Sequence, residues 1–246
     1  MIEGRSIIVT GASGGIGSAC ASRFVARGAR LTLVDRDQAR LQSLALQWDT
    51  AEVLALALDV TSEADMTAMA ERTLERFGAI DALISAAGIL RTSDQPRLAK
   101  DTSFDEWRMV IDVNLTGTFL ANRAVLPAML DQRAGDIVNI SSTSGRRGRA
   151  FDTAYSASKF GVVGFSESLA DEVGRLGVRV QTLLPDAVDT PLWDQSGTAS
   201  LKATEMLSPD RVAEFIEYLL TLPRDAFLLN PVLMPSRLKV RRAAGG

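Results

Sequence analysis

Thr10-Gly11-Ala12-Ser13-Gly14-Gly15-Ile16-Gly17 follows a short β-rich run, Ser6–Thr10, and opens a segment with helical spacing of apolar residues, Ile16–Arg27. Glycines allow a tight turn and let the backbone come close to a pyrophosphate. The N-terminus of the helix that follows offers free N–H groups and a partial positive charge to the same anion. Gly11, Ser13, Gly15, Ile16 and Gly17 are therefore the candidate phosphate cradle. Asp35 ends the second β-rich run, 18 residues after Gly17. An acidic side chain there accepts both ribose hydroxyls of an adenosine and repels a 2′-phosphate, which points to NAD over NADP. Arg36 beside it blurs that preference, because an arginine pairs with a 2′-phosphate. Asp35 also suits a plainer task, capping the helix expected from Ala39. Gly11-Ala12-Ser13-Gly14-Gly15 fits the G-x-S-x-G pattern of a hydrolase nucleophile elbow as well. Ser13 would then need an imidazole to activate it, and the chain has no histidine.

Outward from this loop the chain alternates to its end. β-rich runs are expected at Ser6–Thr10, Arg30–Val34, Val53–Leu58, Ala82–Ser85, Asp136–Ile140, Val178–Leu184 and Phe227–Leu233. Helical spacing marks Ile16–Arg27, Ala39–Gln47, Glu63–Phe77, Phe104–Leu130, Tyr155–Arg175 and Pro209–Leu222. Seven strands separated by helices predict a doubly wound α/β fold. That is a seven-stranded parallel sheet of dinucleotide-binding, Rossmann type, in three α/β/α layers. Residues 1–246 are expected to form one domain, with 186–208 as a substrate lid inside it.

Composition narrows the function. Hydrophobic residues make up 46% and charged residues 23%, a globular balance. A net charge of −3 gives no general attraction to nucleic acid or anionic lipid. One cysteine, Cys20, allows no internal disulfide, and without histidine no ordinary zinc site is expected. The apolar run Ile7-Ile8-Val9 is too short for a signal sequence or a membrane span, so a cytoplasmic protein is expected.

Tyr155 and Lys159 stand one helical turn apart and share a face. Without imidazole, proton transfer near pH 7 requires a group whose pKa has moved. An ammonium beside a phenol favours phenolate and is expected to bring the tyrosine down toward working pH. Taken alone the pair also reads as a core tyrosine beside a solvated lysine.

With these motifs placed, the chain resembles the short-chain dehydrogenase/reductase family, in its short single-domain branch, from Gly4 to about Leu233. Thr10–Gly17 is similar to the family's cofactor loop. Asp59-Val60 resembles its adenine-contacting pair, and Val113-Asn114-Leu115 the segment with its asparagine. Ile140-Ser141-Ser142 resembles the segment with its serine. Tyr155 and Lys159 match its catalytic pair, and Ser142 lies 13 residues before Tyr155 as the family has it. The resemblance implies an NAD-dependent oxidoreductase that transfers a hydride between nicotinamide and a secondary alcohol or ketone. Tyr155 would be the general acid/base, Lys159 its modulator and a holder of the nicotinamide ribose. Ser142 would bond the substrate oxygen, and Asn114 would fix a water linking Lys159 to solvent. Ser85, Ala87, Gly88, Pro185, Val188 and Thr190 stand where the family contacts the cofactor. The resemblance also implies pairing of the long helices into a homodimer or homotetramer.

Three places depart from the family. Ser85-Ala86-Ala87-Gly88 lacks its asparagine, Pro185-Asp186 replaces its Pro-Gly, and Val-Asp-Gly-Gly is missing after the last strand. Arg147, within Gly145-Arg146-Arg147-Gly148-Arg149, is a candidate for binding an anionic substrate. Trp193 on the lid is a candidate for covering an apolar one. Two other readings stay open at this point. A catalytically idle NAD-sensing regulator would share the fold, and a dehydratase or epimerase would normally need an added substrate domain.

Overall fold

The computed structural model describes residues 1–48, 52–93, 95–196 and 205–236. Residues 197–204 of the expected lid and the basic tail from 237 lie outside the described residues. Seven parallel strands form the sheet: β1 Ser6–Thr10, β2 Arg30–Asp35, β3 Val53–Ala57, β4 Ala82–Ser85, β5 Gly135–Ile140, β6 Val178–Pro185 and β7 Val232–Leu233. They run in the order β3-β2-β1-β4-β5-β6-β7. The chain reverses direction across the sheet between β1 and β4, and ligands of such sheets bind at that switch point.

Alternation within the strands supplies both faces. Ile7 and Val9 of β1 join one apolar cluster and Ile8 the other; in β4, Ala82 and Ile84 oppose Leu83. The first cluster is covered by α1 Gly15–Val25, α2 Gln38–Ala45 and α7 Pro209–Thr221. The second is covered by α3 Glu63–Phe77, α5 Gly117–Gln132 and α6 Thr153–Val173. Asp37, Ser62 and Ser208 cap α2, α3 and α7 through their side chains, which fixes where those helices begin.

Two expected elements come out differently. Phe104–Leu130 is not one regular helix. It is α4 Phe104–Ile111, a π turn Asp112–Thr116, and α5. The single wide turn lets Asn114 point inward without breaking the apolar spacing on either side. The strand expected from Phe227 is only the two residues of β7, paired with Leu184 and Pro185. Pro231 has no N–H to give a ladder, and Asn230 adopts a left-handed φ of 49°. Upstream, the Leu228 amide donates to the Gln181 side chain at 3.0 Å instead of to backbone, and Phe227 and Leu229 are exposed.

Candidate active site

Along the carboxyl ends of β1, β2, β4, β5 and β6 runs a cleft of about 640 Å³. At one end lies the glycine loop. Gly11 has φ +65°, and a Cβ there would stand 2.6 Å from the Ala87 Cα, so only glycine lets the loop touch the end of β4. A Cβ on Gly15 would stand 2.4 Å from the Thr190 methyl, so the segment after β6 closes directly on the loop. Gly14 caps α1 without a side chain, so among the described residues no capping side chain claims the first N–H groups of that helix beside the cleft. An anion is the natural partner for such a terminus.

Asp35 does not cap α2; Asp37 does. The Asp35 carboxylate accepts from the backbone N–H of Ser13 at 3.0 Å and of Asp37 at 3.1 Å, so it ties the end of β2 to the glycine loop. It lines the cleft with Arg36, Asp37, Arg40, Leu58, Asp59 and Val60. Arg36 is exposed. Asp59 folds back on Thr61, accepting from its N–H and hydroxyl at 2.8 Å each.

At the other end stand Ser142, Tyr155 and Lys159. Ser142 begins a 3-10 turn, Thr143–Gly145, whose position is fixed against α6. Ser141 donates its hydroxyl to the Lys159 carbonyl at 2.8 Å, and a Cβ on Gly145 would stand 2.6 Å from that same oxygen. This packing brings Ser142 within hydrogen-bonding reach of Tyr155, 13 positions further along the chain. The Lys159 ammonium lies 5.6 Å from the centre of the Tyr155 ring. Its Nζ donates to the Ile140 carbonyl at 2.9 Å.

The electrostatics differ from the sequence expectation. Burial pushes the Tyr155 phenol up to about 12, with Asp152 adding to the rise, while the Ser142 bond and Arg149 oppose it. Burial also brings Lys159 down to about 8. The ammonium was expected to pull the tyrosine down. It sits over the ring face and is turned to a carbonyl, so desolvation wins.

Asn114 is fully buried rather than solvated. Its Oδ1 accepts from the Ile89 N–H at 2.8 Å; its Nδ2 donates to the Ile89 carbonyl at 2.9 Å and to Ser158 Oγ at 3.0 Å. It does not line the cleft. A Cβ on Gly88 would be 3.3 Å from Asn114 Oδ1 and 3.6 Å from Lys159 Nζ, so these three groups converge. Ala87, Pro185, Val188, Thr190 and Trp193 line the cleft with Gly88. Trp193 is held by its indole N–H, which donates to the Val188 carbonyl at 2.8 Å. Ser85 is elsewhere. It is buried and accepts from Asn122 Nδ2 at 3.2 Å, within a network of Asn122, Asn139 and Ser166.

Arg147 is exposed and apart from the cleft wall, whereas Arg149, two residues on, lines it. Arg149 Nη2 donates to Asp186 Oδ1 at 2.6 Å and to Thr143 Oγ1 at 3.1 Å. The aspartate that replaces the expected glycine therefore carries its own counter-ion. Sequence reasoning held Arg149 only as one of three loop arginines and singled out Arg147 instead; it missed Asp152, three residues before Tyr155 on the cleft wall. Asp152 is paired with the buried Arg91. Burial raises its carboxyl, against Arg91. Among the described residues no helix is long and apolar enough to cross a membrane, and no cluster of acidic or sulfur ligands suits a metal.

Comparison with known proteins agrees with this fold. The short chain dehydrogenase family model matches residues 5–200. An uncharacterised oxidoreductase of Staphylococcus saprophyticus is 37% identical over 225 residues, 90% of this chain and 93% of that protein. D-threitol dehydrogenase of Mycolicibacterium smegmatis is 39% identical over 207 residues, 82% and 78% respectively. Among solved structures, levodione reductase superposes with a TM-score of 0.84 at 32% identity, over 94% of this chain and 96% of that one. The 3-ketoacyl-(acyl-carrier-protein) reductase of Brucella melitensis, complexed with NADH, gives 0.84 at 32%, over 95% and 97%. Fold, cleft and relatives together establish that the chain belongs to the short-chain dehydrogenase family, oxidoreductases that use a nicotinamide cofactor on CH–OH groups.

Proposed function

We propose that the protein is an NAD-preferring dehydrogenase/reductase of a secondary alcohol or ketone, with Tyr155 as general acid/base. One observation carries this reading: Ser142, Tyr155 and Lys159 meet at one end of the cleft whose other end holds the uncapped glycine loop and Asp35. The relatives named for a D-threitol substrate and for ketoacyl reduction support an alcohol/ketone pair. An idle NAD sensor leaves the serine–tyrosine–lysine contact without a task.

The nicotinamide, when bound, supplies or accepts the hydride. The chain's residues handle the proton and the geometry. Ser142 lies within hydrogen-bonding reach of Tyr155, so the two hydroxyls can converge on one substrate oxygen. In reduction, the Tyr155 O–H gives its proton to the carbonyl oxygen as the carbon accepts the hydride. In oxidation, phenolate takes the hydroxyl proton, so the phenol must first fall from about 12. An oxidised nicotinamide would bring positive charge beside the phenol, and Lys159 would be a holder of its ribose; both would act in that direction. Asn114 and Gly88 keep the space beside the lysine from closing. Asp35 favours ribose hydroxyls over a 2′-phosphate, which supports NAD.

A cytoplasmic homodimer or homotetramer is the accompanying proposal, supported by exposed Phe104, Trp107 and Met109 on α4, Phe119 on α5 and Phe160 on α6. The test of the reaction is turnover with NAD and a panel of secondary alcohols. Tyr155→Phe should lower kcat at least 1,000-fold while nucleotide still binds. Turnover that survives the change refutes the assignment.

A further inference from the structure

Asp152 occupies the N-cap position of α6, where an aspartate ordinarily accepts from the N–H groups of the first turn. It makes no such bond. Its Oδ1 instead accepts from Arg91 Nη2, in a pair whose side chains are 6% and 19% exposed. Among the described residues Oδ2 accepts no hydrogen bond, and Asp152 lines the cleft three residues before Tyr155, on the same helical face. Arg91 is not part of the cleft wall, and its Nη1 is buried without a partner. A buried ion pair kept for stability saturates both of its ends, because the cost of desolvation is otherwise not recovered. This one leaves hydrogen-bonding capacity on both members, beside the predicted proton donor.

The surrounding charges restrict what that capacity serves. Asp152 and Asp186 line this end of the cleft, beside Tyr155 and the turn after Ser142. Arg149 is engaged by Asp186, and Arg147 is exposed and outside the wall. Lys159 donates to the Ile140 carbonyl. A carboxylate or phosphate on the substrate would meet acids here and find its cations already paired. A neutral hydroxyl suits a fixed carboxylate oxygen well, since a hydrogen bond to a charged acceptor is among the stronger ones.

We propose that the Arg91–Asp152 pair is a recognition element for a second hydroxyl, so that the substrate is a neutral polyhydroxylated alcohol with one hydroxyl at Ser142 and Tyr155 and a neighbouring one on Asp152. This rests on the reading of Tyr155 as the proton donor. Arg91 is the positioning residue: it draws the carboxylate away from the α6 terminus and keeps it charged. A site built around a second hydroxyl discriminates strongly against analogues that lack it, because the buried polar group is then left without a partner.

The test compares butan-2-ol, butane-2,3-diol and 3-hydroxybutyrate as substrates of the full-length enzyme with NAD. The diol should exceed the mono-alcohol in kcat/KM at least tenfold, and the hydroxy acid should be the poorest. In Asp152→Ala the diol-to-mono-alcohol ratio should fall at least tenfold, mostly through KM. The double change Arg91→Met with Asp152→Leu removes the pair without stranding a buried charge and should give the same fall, which guards against misfolding of the single variant. A wild-type ratio near one, a preference for the hydroxy acid, or a ratio that persists in a folded variant overturns the proposal. Tyr155→Phe run on the same panel separates the two claims. If it abolishes turnover while the ratio is unaffected by Asp152, only the recognition claim fails; if turnover persists, the reaction assignment fails.

Discussion

Replacing Lys159 with methionine should make the nucleotide-free protein more stable at neutral pH. The ammonium is buried, and among the described residues its hydrogen-bond acceptor is the Ile140 carbonyl. Burial lowers its pKa from 10.5 to about 8. At about 1.4 kcal/mol for each tenfold change, holding the charge in the folded state at pH 7 costs on the order of 3 kcal/mol. The sign follows from linkage. A lysine whose folded pKa is depressed contributes its full stability above the unfolded value of about 10.4, loses it as pH falls to about 8, and changes little below that. The rise at Tyr155 acts in a different window, since stability from that group is lost only as pH climbs from about 10 toward 12. Methionine keeps the length and removes the charge, but leaves the Ile140 carbonyl without its donor, a loss of about 1–2 kcal/mol. The net expectation at pH 7 is a gain of about 1–2 kcal/mol, reversing to a loss by pH 10. Urea unfolding of both proteins, followed by circular dichroism at pH 7, 8, 9 and 10, reads this directly. A stability difference that does not vary with pH would show that the ammonium is not strained by burial, and the electrostatic account of the site would be wrong.

Two further expectations concern the cofactor end and the core beneath the site. Asp35→Ser should raise the NADP-to-NAD ratio of kcat/KM by about 100-fold, because a carboxylate close to a 2′-phosphate costs a few kcal/mol and Arg36 remains to pair with it; an unchanged ratio in steady-state assays refutes the ribose role. Asn114→Ala removes bonds to Ile89 and Ser158 and leaves two backbone groups of Ile89 unpaired. It should lower unfolding free energy by about 2–4 kcal/mol in a urea titration; a loss under about 0.5 kcal/mol would mean that the π turn does not depend on it.

The fold was legible because its signals are local. Ser6–Thr10 followed by Gly11–Gly17 states a strand, a turn and a helix in sequence order, and Glu63–Phe77 carries its cap, its period and its terminal glycine within one stretch. The π turn at Asp112–Thr116 was hidden because one wide turn barely disturbs helical spacing; only the polar Asn114 inside an apolar run hinted at it. The last strand misled because Phe227 and Leu229 have strand-like composition but no free ladder to join. The pairing of Arg149 with Asp186 spans 37 positions and that of Arg91 with Asp152 spans 61, and no sequence period encodes either. The expected depression of the Tyr155 pKa failed for a related reason. Spacing puts two side chains on one face, but it does not say that both are buried or which oxygen the amine faces.

The central claim is that Tyr155 changes from a reluctant acid to a usable acid/base when nucleotide binds. The chain has only two tyrosines, and Tyr218 lies exposed on α7, across the sheet from α6. Protein labelled with 13C at tyrosine Cζ therefore gives two NMR signals, and Tyr218→Phe assigns them. Without nucleotide, the Tyr155 signal should stay in its phenol form through pH 10. With saturating NAD it should titrate well below that, by on the order of two pH units or more. A Tyr155 signal whose titration is the same with and without NAD contradicts the account.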